Sequence, residues 1–491
     1  MRARDLRGIA TRHVVAGLYA ATMFVIFLDQ TVITVALPSI SRSFHVVSSS
    51  ASALIVAYLL SLAIFIPVAS WVGDRLGIKR TFVAALALFA AASALCGVAG
   101  SYTQLVAFRA LQGVGGGLLV PTGLTMLLHS YPADRRVQVS RILTIPIAFA
   151  PMSGPLIGGL LSTDASWRWI FYANLPVAVP AVIIGVRLLH DEWPRPAKRR
   201  FDVAGFCLAA SGLGLGLYAL SEGPVLGWDA PAILLAAAGA VVSLIALVRV
   251  ETHRANALVD LVVARERLFR VTAVTNLFAV SCLQGTLFLV PLMLQLAQGR
   301  SALAAGSTSF PEAIGALLFS QVVGRIYPRF GPKRLICAAT TGLIAILAAY
   351  QFISFSANLW LFRSLMFVTG FCAVTIFISV QVAVFARITP EKLGAASSLF
   401  NVSRQVAAAL GVASVATVLG STAAGAASPG SPVVVGSFRH AFLAALCLAV
   451  VALASATRMN GADSANTWNA PRVEDRAGGG IEAAELARQD V

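Results

Sequence analysis

The sequence predicts an all-α protein that crosses a membrane many times. This prediction rests on the composition and on a regular series of apolar stretches. Hydrophobic residues make up 58% of the 491 residues and charged residues only 12%, whereas charged residues are about a quarter of an average soluble domain. A soluble core cannot enclose so large an apolar share. A bilayer can, because about 20 apolar helical residues cross its hydrocarbon layer of roughly 30 Å.

Fourteen apolar stretches follow one another along the chain, and each is long enough to span a bilayer. Every backbone polar group in lipid needs a partner within the protein, so we expect each stretch to be a helix. The loops between them are too short to fold as a soluble domain. The stretches cover approximately residues 14–38, 50–72, 81–99, 104–128, 138–161, 168–189, 203–221, 230–250, 270–297, 305–327, 334–355, 360–385, 395–420 and 438–457.

Basic residues are concentrated in alternate loops, and this pattern predicts the orientation of the chain. The formal net charge is +16, and lysine and arginine in short loops mark the cytoplasmic side of a membrane protein. With residues 1–13 in the cytoplasm, the outside loops hold little beyond Arg42, Arg300 and Arg439. We therefore expect both termini to be cytoplasmic and the number of spans to be even. The same placement argues against nucleic-acid binding.

The side chains give no indication of a metal site, a disulfide framework or an enzyme. None of the six cysteines stands at metal-ligand or redox-motif spacing, and no cluster of Cys, His, Asp and Glu has the spacing of a metal site. No nucleophile elbow is present. The glycine-rich run of residues 113–117 lacks the following lysine and serine or threonine of a phosphate-binding loop. We expect no cofactor and no enzymatic activity.

Two loops, residues 70–80 and 324–334, repeat one another. An arginine, a glycine, a lysine and a second arginine fall at matching positions in the two segments. Duplicated halves around a central site are a common plan of secondary transporters. Pro328 occupies in the second copy the position of Asp74 in the first, so any contact made by that acid should be asymmetric.

Several motifs in the expected order make the chain resemble the major facilitator superfamily, and within it the fourteen-helix drug/proton antiporter subfamily. The motifs are residues 73–80, 109–117, 154–159, 167–176, 201–205 and 401–405, and the resemblance covers nearly the whole chain. It implies two six-helix halves with two extra central helices. The implied divisions are a cytoplasmic N-terminus over 1–13, the N-terminal half over 14–189, two inserted helices over 203–250, the C-terminal half over 270–457 and a disordered cytoplasmic tail over 459–491.

Asp29 and Arg109 are the main candidates for proton coupling. An ionisable side chain inside a span costs several kcal/mol and is therefore a functional hypothesis. A carboxyl withdrawn from water can exchange protons near neutral pH, whereas a guanidinium stays charged and can only tune a nearby carboxyl. The resemblance implies the same roles for an acid and an arginine at these places. The alternative for each is a structural contact between helices.

The resemblance also implies two conformational elements. A charged cluster would hold one half against the other in one transport state; its members are Asp74, Arg75, Gly77, Lys79 and Arg80. An antiporter motif would lie in the fifth span, formed by Gly154, Pro155, Gly158 and Gly159. Small residues allow close helix packing and proline bends a helix, which suits a tight seam or a hinge. The alternatives are an ordinary cytoplasmic loop and ordinary membrane glycines and prolines.

Four further polar residues lie inside predicted spans. Glu312 is a secondary candidate for proton or cation binding, the alternative being a carboxylate that faces outer water. Gln112, Asn401 and Arg404 are intramembrane polar residues whose partners the sequence does not identify. Segment 167–176 is expected to anchor an outer loop and lead into the sixth span, and Asp202 to cap the seventh.

These motifs together favour a proton-coupled antiporter that exports small amphipathic or cationic organic compounds by alternating access, as in multidrug efflux. The alternative is a dedicated exporter of one endogenous metabolite or antibiotic. A proton symporter is disfavoured by the fifth-span motif, and a membrane sensor or enzyme by the lack of an output domain or catalytic motif. The expected partners are the lipid bilayer, a small-molecule substrate and protons. We expect a monomer in the cytoplasmic (inner) membrane, driven by the proton gradient.

Overall fold

The computed structural model consists of helices joined by short connections. It describes residues 3–46, 52–130, 150, 153–162, 166–189, 201–253, 261–352, 358–388, 393–422 and 432–460, and within these ranges there is no strand. The tail predicted over 459–491 lies outside the described residues except for its first two positions.

We number the helices of the described ranges α1 to α14 in chain order. The first seven are α1 (Ala3–Phe44), α2 (Ala53–Leu76), α3 (Ile78–Gly97), α4 (Tyr102–Ser130), α5 (153–162), α6 (Trp169–Tyr172) and α7 (Leu175–Leu188). The remaining helices are α8 (Val203–Leu226), α9 (Pro231–His253), α10 (Arg267–Leu296), α11 (Ala302–Phe352), α12 (Leu359–Val384), α13 (Leu393–Thr422) and α14 (Pro432–Thr457).

Eleven helices of the described ranges are long and apolar enough to cross a membrane. A shorter apolar segment, Ala53–Ala69, lies in α2, and the 51 residues of α11 contain two predicted spans, one on either side of Gly331. The prediction of a multi-pass, helical membrane protein is confirmed. The count of fourteen spans stays a prediction, because more than half of the fifth predicted span lies outside the described residues.

The structure divides the predicted sixth span into two helices, α6 and α7. Pro176 is the second residue of α7. Because proline lacks an N–H and its ring collides with a helical carbonyl four residues earlier, the preceding helix ends at Tyr172. Ala173 and Asn174 lie between the two helices with helical φ and ψ angles. Asn174 therefore lies at the junction of the two helices, and its side chain is completely buried.

The two repeated loops share a backbone feature at their matching glycines. Gly77 joins α2 to α3 with φ 95° and ψ 143°, and Gly331 interrupts α11 with φ 69° and ψ 166°. This region of backbone space is essentially restricted to glycine. The similar conformations at matching positions agree with the repeat in the sequence.

Contacts between the helices of the described ranges allow two sets of helices to be named. Helices α1 to α4 and α7 contact one another and form the first helix group, and α10 to α14 form the second. The groups meet where α1 contacts α10 and α11, and where α2 contacts α13. The pair α8 and α9 lies beside both groups, since α8 contacts α2 and α13. Asp202 caps α8 as expected, because its Oδ1 accepts from the Gly205 N–H at 3.0 Å.

Candidate functional site

Asp29 and Arg109 form a buried ion pair in the first helix group. Asp29 lies on α1 and is 1% exposed, while Arg109 lies on α4 and is 0% exposed. The Arg109 Nη1 donates to Asp29 Oδ2 at 2.6 Å. The sequence proposed Asp29 as the partner of Arg109, and the structure places the two side chains in direct contact.

Two side-chain amides complete the environment of the Asp29 carboxylate. Its Oδ1 accepts from Gln112 Nε2 at 3.0 Å and from Asn174 Nδ2 at 2.8 Å. Gln112 is also linked to Arg109, whose Nη1 donates to Gln112 Oε1 at 2.7 Å. The carboxylate therefore meets three donors, which matches its ionised form, since an ionised carboxylate only accepts hydrogen bonds.

The position of Arg109 follows from the packing of α4. Arg109 and Gln112 are three residues apart on one helix and so lie on the same face. The guanidinium lies over the ring of Tyr58 at 4.4 Å, and its Nε donates to the Leu54 carbonyl at 3.4 Å. Both contacts come from α2, which α4 approaches closely: a Cβ atom at Gly113 would collide with the Tyr58 carbonyl. The glycines after Arg109 thus permit the close helix contact that buries it.

Asn174 and Ser93 belong to this site although the sequence analysis assigned neither to it. Asn174 Nδ2 also donates to Ser93 Oγ at 3.0 Å, and the Ser93 hydroxyl donates to the Phe171 carbonyl at 2.8 Å. Asn174 stands in the motif 167–176, and its place two residues before Pro176 was the one available signal of a helix break. Ser93 lies in an apolar run on α3 with no distinguishing neighbour. We call Asp29, Arg109, Gln112, Asn174 and Ser93 the Asp29 cage.

The glycines of α5 pack against α1 directly after Asp29. A Cβ atom at Gly154 would collide with the Thr31 hydroxyl, and one at Gly158 would lie 2.5 Å from the Val32 carbonyl oxygen. A larger residue at either position would therefore push α5 away from α1. The close contact fixes α5 to the helical turn that follows the acid.

The other side of α5 meets the second helix group. A Cβ atom at Gly159 would lie 2.8 Å from the Ala302 carbonyl oxygen and 2.8 Å from the Leu303 Cα. One at Gly306 of α11 would collide with the Pro155 carbonyl. The four residues of the predicted antiporter motif thus lie in a seam between α1 and α11.

The predicted latch residues lie at the opposite end of the bundle from this seam. Asp74 and Lys79 are partly buried and Arg75 and Arg80 are exposed. The Arg75 guanidinium lies over the Trp71 ring at 5.5 Å. Gly77 supplies the turn, and its carbonyl accepts from the Thr81 hydroxyl at 2.9 Å. We call the end of the bundle that contains Gly77 and Gly331 the loop end. The opposite end, which contains Phe44, Leu296 and Ala302, is called the seam end.

The predicted polar residues of the second helix group are not brought to the Asp29 cage. Glu312 is partly buried on α11 and makes no hydrogen bond or ion pair with any described residue. Asn401 donates to the Ser397 carbonyl of its own helix at 2.9 Å. Arg404 lies on α13 within electrostatic range of Tyr19 on α1 and makes no hydrogen bond to the part of the chain that the structure describes. In that same part, no three His, Cys, Asp or Glu side chains form a group that could hold a metal ion.

Residues 19–412 match the family model described as Major Facilitator Superfamily. The chain belongs to this superfamily of membrane transporters. Among Major Facilitator relatives, MdtD of Serratia proteamaculans (strain 568), whose name calls it a multidrug resistance protein, is 30% identical over 87% of this chain and 90% of its own length. Multidrug export protein EmrB of Escherichia coli (strain K12) is 30% identical over 80% of this chain and 78% of its own length.

Solved structures of a peptide transporter and a nucleoside transporter share the fold of this chain. An auto-inhibited peptide transporter of the POT family matches 92% of this chain and 97% of its own with a TM-score of 0.68 and 16% identity. A mutant of the nucleoside transporter NupG matches 90% of this chain and 99% of its own with a TM-score of 0.64 and 14% identity. At these identities the likeness shows the fold alone.

Proposed function

We propose that this protein is a proton-coupled antiporter that exports small amphipathic or cationic organic compounds by alternating access. The Asp29 cage carries the proposal, since it places a carboxylate and a guanidinium out of contact with solvent inside a bundle of membrane helices. An ionisable pair in that position is costly to dehydrate and marks a functional site by default. The relatives named for multidrug resistance and export support outward transport of organic compounds.

The cage provides a way for a proton to change the packing of α1 and α4. The present contacts suit an ionised Asp29, and the positive charge of Arg109 is compensated by it. A proton that enters from outside and binds Asp29 cancels the negative charge, while Arg109 stays charged. The buried guanidinium then lacks its counter-charge. That cost favours a different arrangement of the helices and so couples proton binding to a change of state.

The helix α5 is the route by which this change reaches the second helix group. It contacts Thr31 and Val32 of α1 through Gly154 and Gly158, and it contacts α11 through Pro155 and Gly159. A shift of α1 next to Asp29 therefore displaces a helix that is packed without spare space against α11. Close-packed contacts transmit such shifts because they do not deform continuously.

Alternating access would open and close the two ends of the bundle in turn. At the seam end the groups are joined by α5 and by a hydrogen bond from Gln295 Nε2 of α10 to the Val35 carbonyl of α1 at 3.0 Å. We place the seam end on the outside and the loop end in the cytoplasm, with both termini cytoplasmic, in agreement with the basic loops. The charged cluster around Asp74 then acts as a latch at the cytoplasmic side.

Glu312 is the proposed recognition site for cationic cargo. It is the acid of the second helix group that the structure leaves without a polar partner among the described residues, and it lies on α11 where the Glu312 carbonyl packs against Gly370 of α12. A positively charged group of the cargo would supply the missing partner. With this assignment the two helix groups have separate roles. The first helix group binds the proton, and the second binds the cationic substrate.

The finer architecture belongs to the same proposal. We propose fourteen transmembrane helices, with six-helix halves over 14–189 and 270–457 and an inserted pair over 203–250. The protein would act as a monomer in the cytoplasmic (inner) membrane without a cofactor. A proton gradient would supply the free energy.

Transport by the purified full chain in proteoliposomes tests the proposal. An imposed pH gradient should drive movement of a cationic amphipathic dye, and dissipation of the gradient should stop it. Asp29→Asn should reduce gradient-driven movement to the level of vesicles without protein. Asp229→Asn, in an exposed connection between α8 and α9, is the matched control and should transport normally.

The same assay distinguishes the alternatives. Gradient-driven transport by the Asp29→Asn variant at the rate of the unmodified chain would remove Asp29 from the mechanism. Transport of only one compound in a chemically varied panel would identify a dedicated exporter. A dye that moves in the same direction as the protons would identify a symporter.

A further inference from the structure

Asn174 has an unused hydrogen-bond acceptor in the interior of the bundle. Its Nδ2 donates both to Asp29 Oδ1 and to Ser93 Oγ, while its own Oδ1 is buried and accepts no hydrogen bond from any described residue. A buried carbonyl oxygen without a partner costs free energy, so it calls for an explanation. The explanation lies in what Asp29 needs once it has bound a proton.

A protonated Asp29 needs an acceptor for its new O–H group, because the acid form of a carboxyl carries one donor. The two amides that face Asp29 Oδ1 both present donors to it. Gln112 cannot turn its amide round, since its Oε1 already accepts from Arg109 Nη1 at 2.7 Å. Asn174 is therefore the amide of the Asp29 cage that has an oxygen to offer.

We propose that Asn174 is a proton-responsive amide switch. When Asp29 takes up a proton on Oδ1, the Asn174 amide makes half a turn about its Cβ–Cγ bond, and its Oδ1 accepts from the new O–H group. The Asn174 nitrogen moves to the place where the oxygen had no partner. The proton stays on Asp29 and Arg109 keeps its charge. This inference rests on the proposed role of Asp29 as the proton site.

Ser93 can follow this turn without leaving a neighbour unpaired. A hydroxyl both donates and accepts, and it rotates to suit its partners. At present the Ser93 hydroxyl donates to the Phe171 carbonyl, and after the turn it would donate to Asn174 Oδ1. The Phe171 carbonyl keeps a second donor, because the backbone N–H of Asn174 also donates to it at 3.3 Å. These side-chain rotations give the new O–H group an acceptor, while the Arg109 charge still lacks its counter-charge and continues to favour a different helix arrangement.

The other ionisable groups that face Asp29 cannot replace this response. Arg109 of α4 remains charged. Tyr58 of α2 and Cys96 of α3 lie within electrostatic range of the carboxyl, but the Tyr58 ring is covered by the Arg109 guanidinium. The Cys96 thiol points at Gln112 Oε1, with 4.0 Å between the two atoms. Asn174 is a positioning residue, acting on the proton site through its hydrogen bond to Asp29.

Infrared difference spectra of the full chain in lipid vesicles, with isotope-labelled asparagine side-chain carbonyls, test the switch. A pH titration should show the band of the protonated Asp29 carboxyl appear. One labelled amide band should move to lower frequency with the same midpoint, because a carbonyl that accepts a hydrogen bond vibrates at lower frequency.

Two matched variants assign the moving band. Asn174→Leu should delete it, whereas Asn401→Leu should leave it, since the Asn401 amide donates within its own helix. If Asn174→Leu fails to fold, Asn174→Asp removes the labelled group and keeps the side-chain shape.

The possible outcomes separate the switch from the transport function. A labelled Asn174 band that stays at its starting frequency while the Asp29 carboxyl band appears would overturn the switch and leave the proton site intact. Gradient-driven transport with no protonated Asp29 carboxyl at any pH would overturn both.

Discussion

The two candidate carboxyl groups, those of Asp29 and Glu312, differ in their polar surroundings. Asp29, in the first helix group, is 1% exposed and accepts hydrogen bonds from three side chains. Glu312, in the second group, makes neither a hydrogen bond nor an ion pair with any described residue. A buried charge without partners costs far more than a paired one. Asp29 therefore has its charge partners within the protein. Glu312 needs either a bound proton or the positive charge of a bound substrate.

Loss of Arg109 should be the most damaging single change. Arg109→Leu leaves the Asp29 carboxylate buried without its counter-charge, which costs about 3–5 kcal/mol when one partner of a buried pair is removed. The double change Asp29→Leu with Arg109→Leu removes both charges and should regain most of that stability, with gradient-driven transport still absent. Thermal unfolding of the purified protein in detergent measures the difference. If the single and double variants unfold at the same temperature, the ion pair is not the source of the loss.

Neutralising Glu312 should affect transport and leave stability nearly unchanged, because no polar contact is lost. For Glu312→Gln we expect the KM for a cationic compound to rise about tenfold, which corresponds to about 1.4 kcal/mol. The KM for an uncharged compound of similar shape should hardly change. Transport assays with both compounds check this, with Glu222→Gln near the end of α8 as the control acid. Equal losses for the two compounds would show that Glu312 does not recognise charge.

The contrast between the two acids was only partly predictable from the sequence. A charged residue inside an apolar run is conspicuous, and two opposite charges within the spans of one membrane protein are strongly driven to pair. Asp29 and Arg109 could therefore be matched without a structure. Glu312 carries the same kind of signal, but a single sequence does not reveal whether a span has a partner for it.

The sequence patterns did not predict the roles of Asn174 and Ser93, for a different reason in each case. Asn174 stands beside Pro176 at a helix boundary, where asparagine commonly caps a helix or forms a turn, so its pattern predicts a local role. Serine inside a helix often bonds to its own backbone, and nothing in the run around Ser93 distinguishes it. Both roles depend on contacts between residues far apart in the sequence: Asn174 and Asp29 are 145 residues apart, and Asn174 and Ser93 are 81 residues apart. Hydrophobic periodicity does not predict such contacts.

A glycine at the contact between the two helix groups should tolerate a larger side chain less well than a glycine at an open position of α11. Gly306→Ala places a Cβ against the Pro155 carbonyl, and overpacking of this kind costs about 1–3 kcal/mol. We expect transport to slow about tenfold as the seam loosens. Gly324→Ala is the control, because a Cβ there meets nothing within 4 Å. Rates of dye transport in proteoliposomes compare the two variants, and equal rates would exclude a tight seam at Gly306.

The smallest effect is expected at the loop end. Asp74 is only partly buried, and ion pairs near a surface contribute up to about 1 kcal/mol, so Asp74→Asn should slow transport about two- to fivefold. The second loop has Pro328 at the matching position, so the change affects one loop alone. A latch sets the rate of exchange between states and leaves the coupling to protons intact. The initial rate of dye transport should therefore fall while the final accumulation ratio stays the same, and Asp74→Glu should restore the rate. A lower accumulation ratio at an unchanged rate would instead place Asp74 in proton coupling together with Asp29.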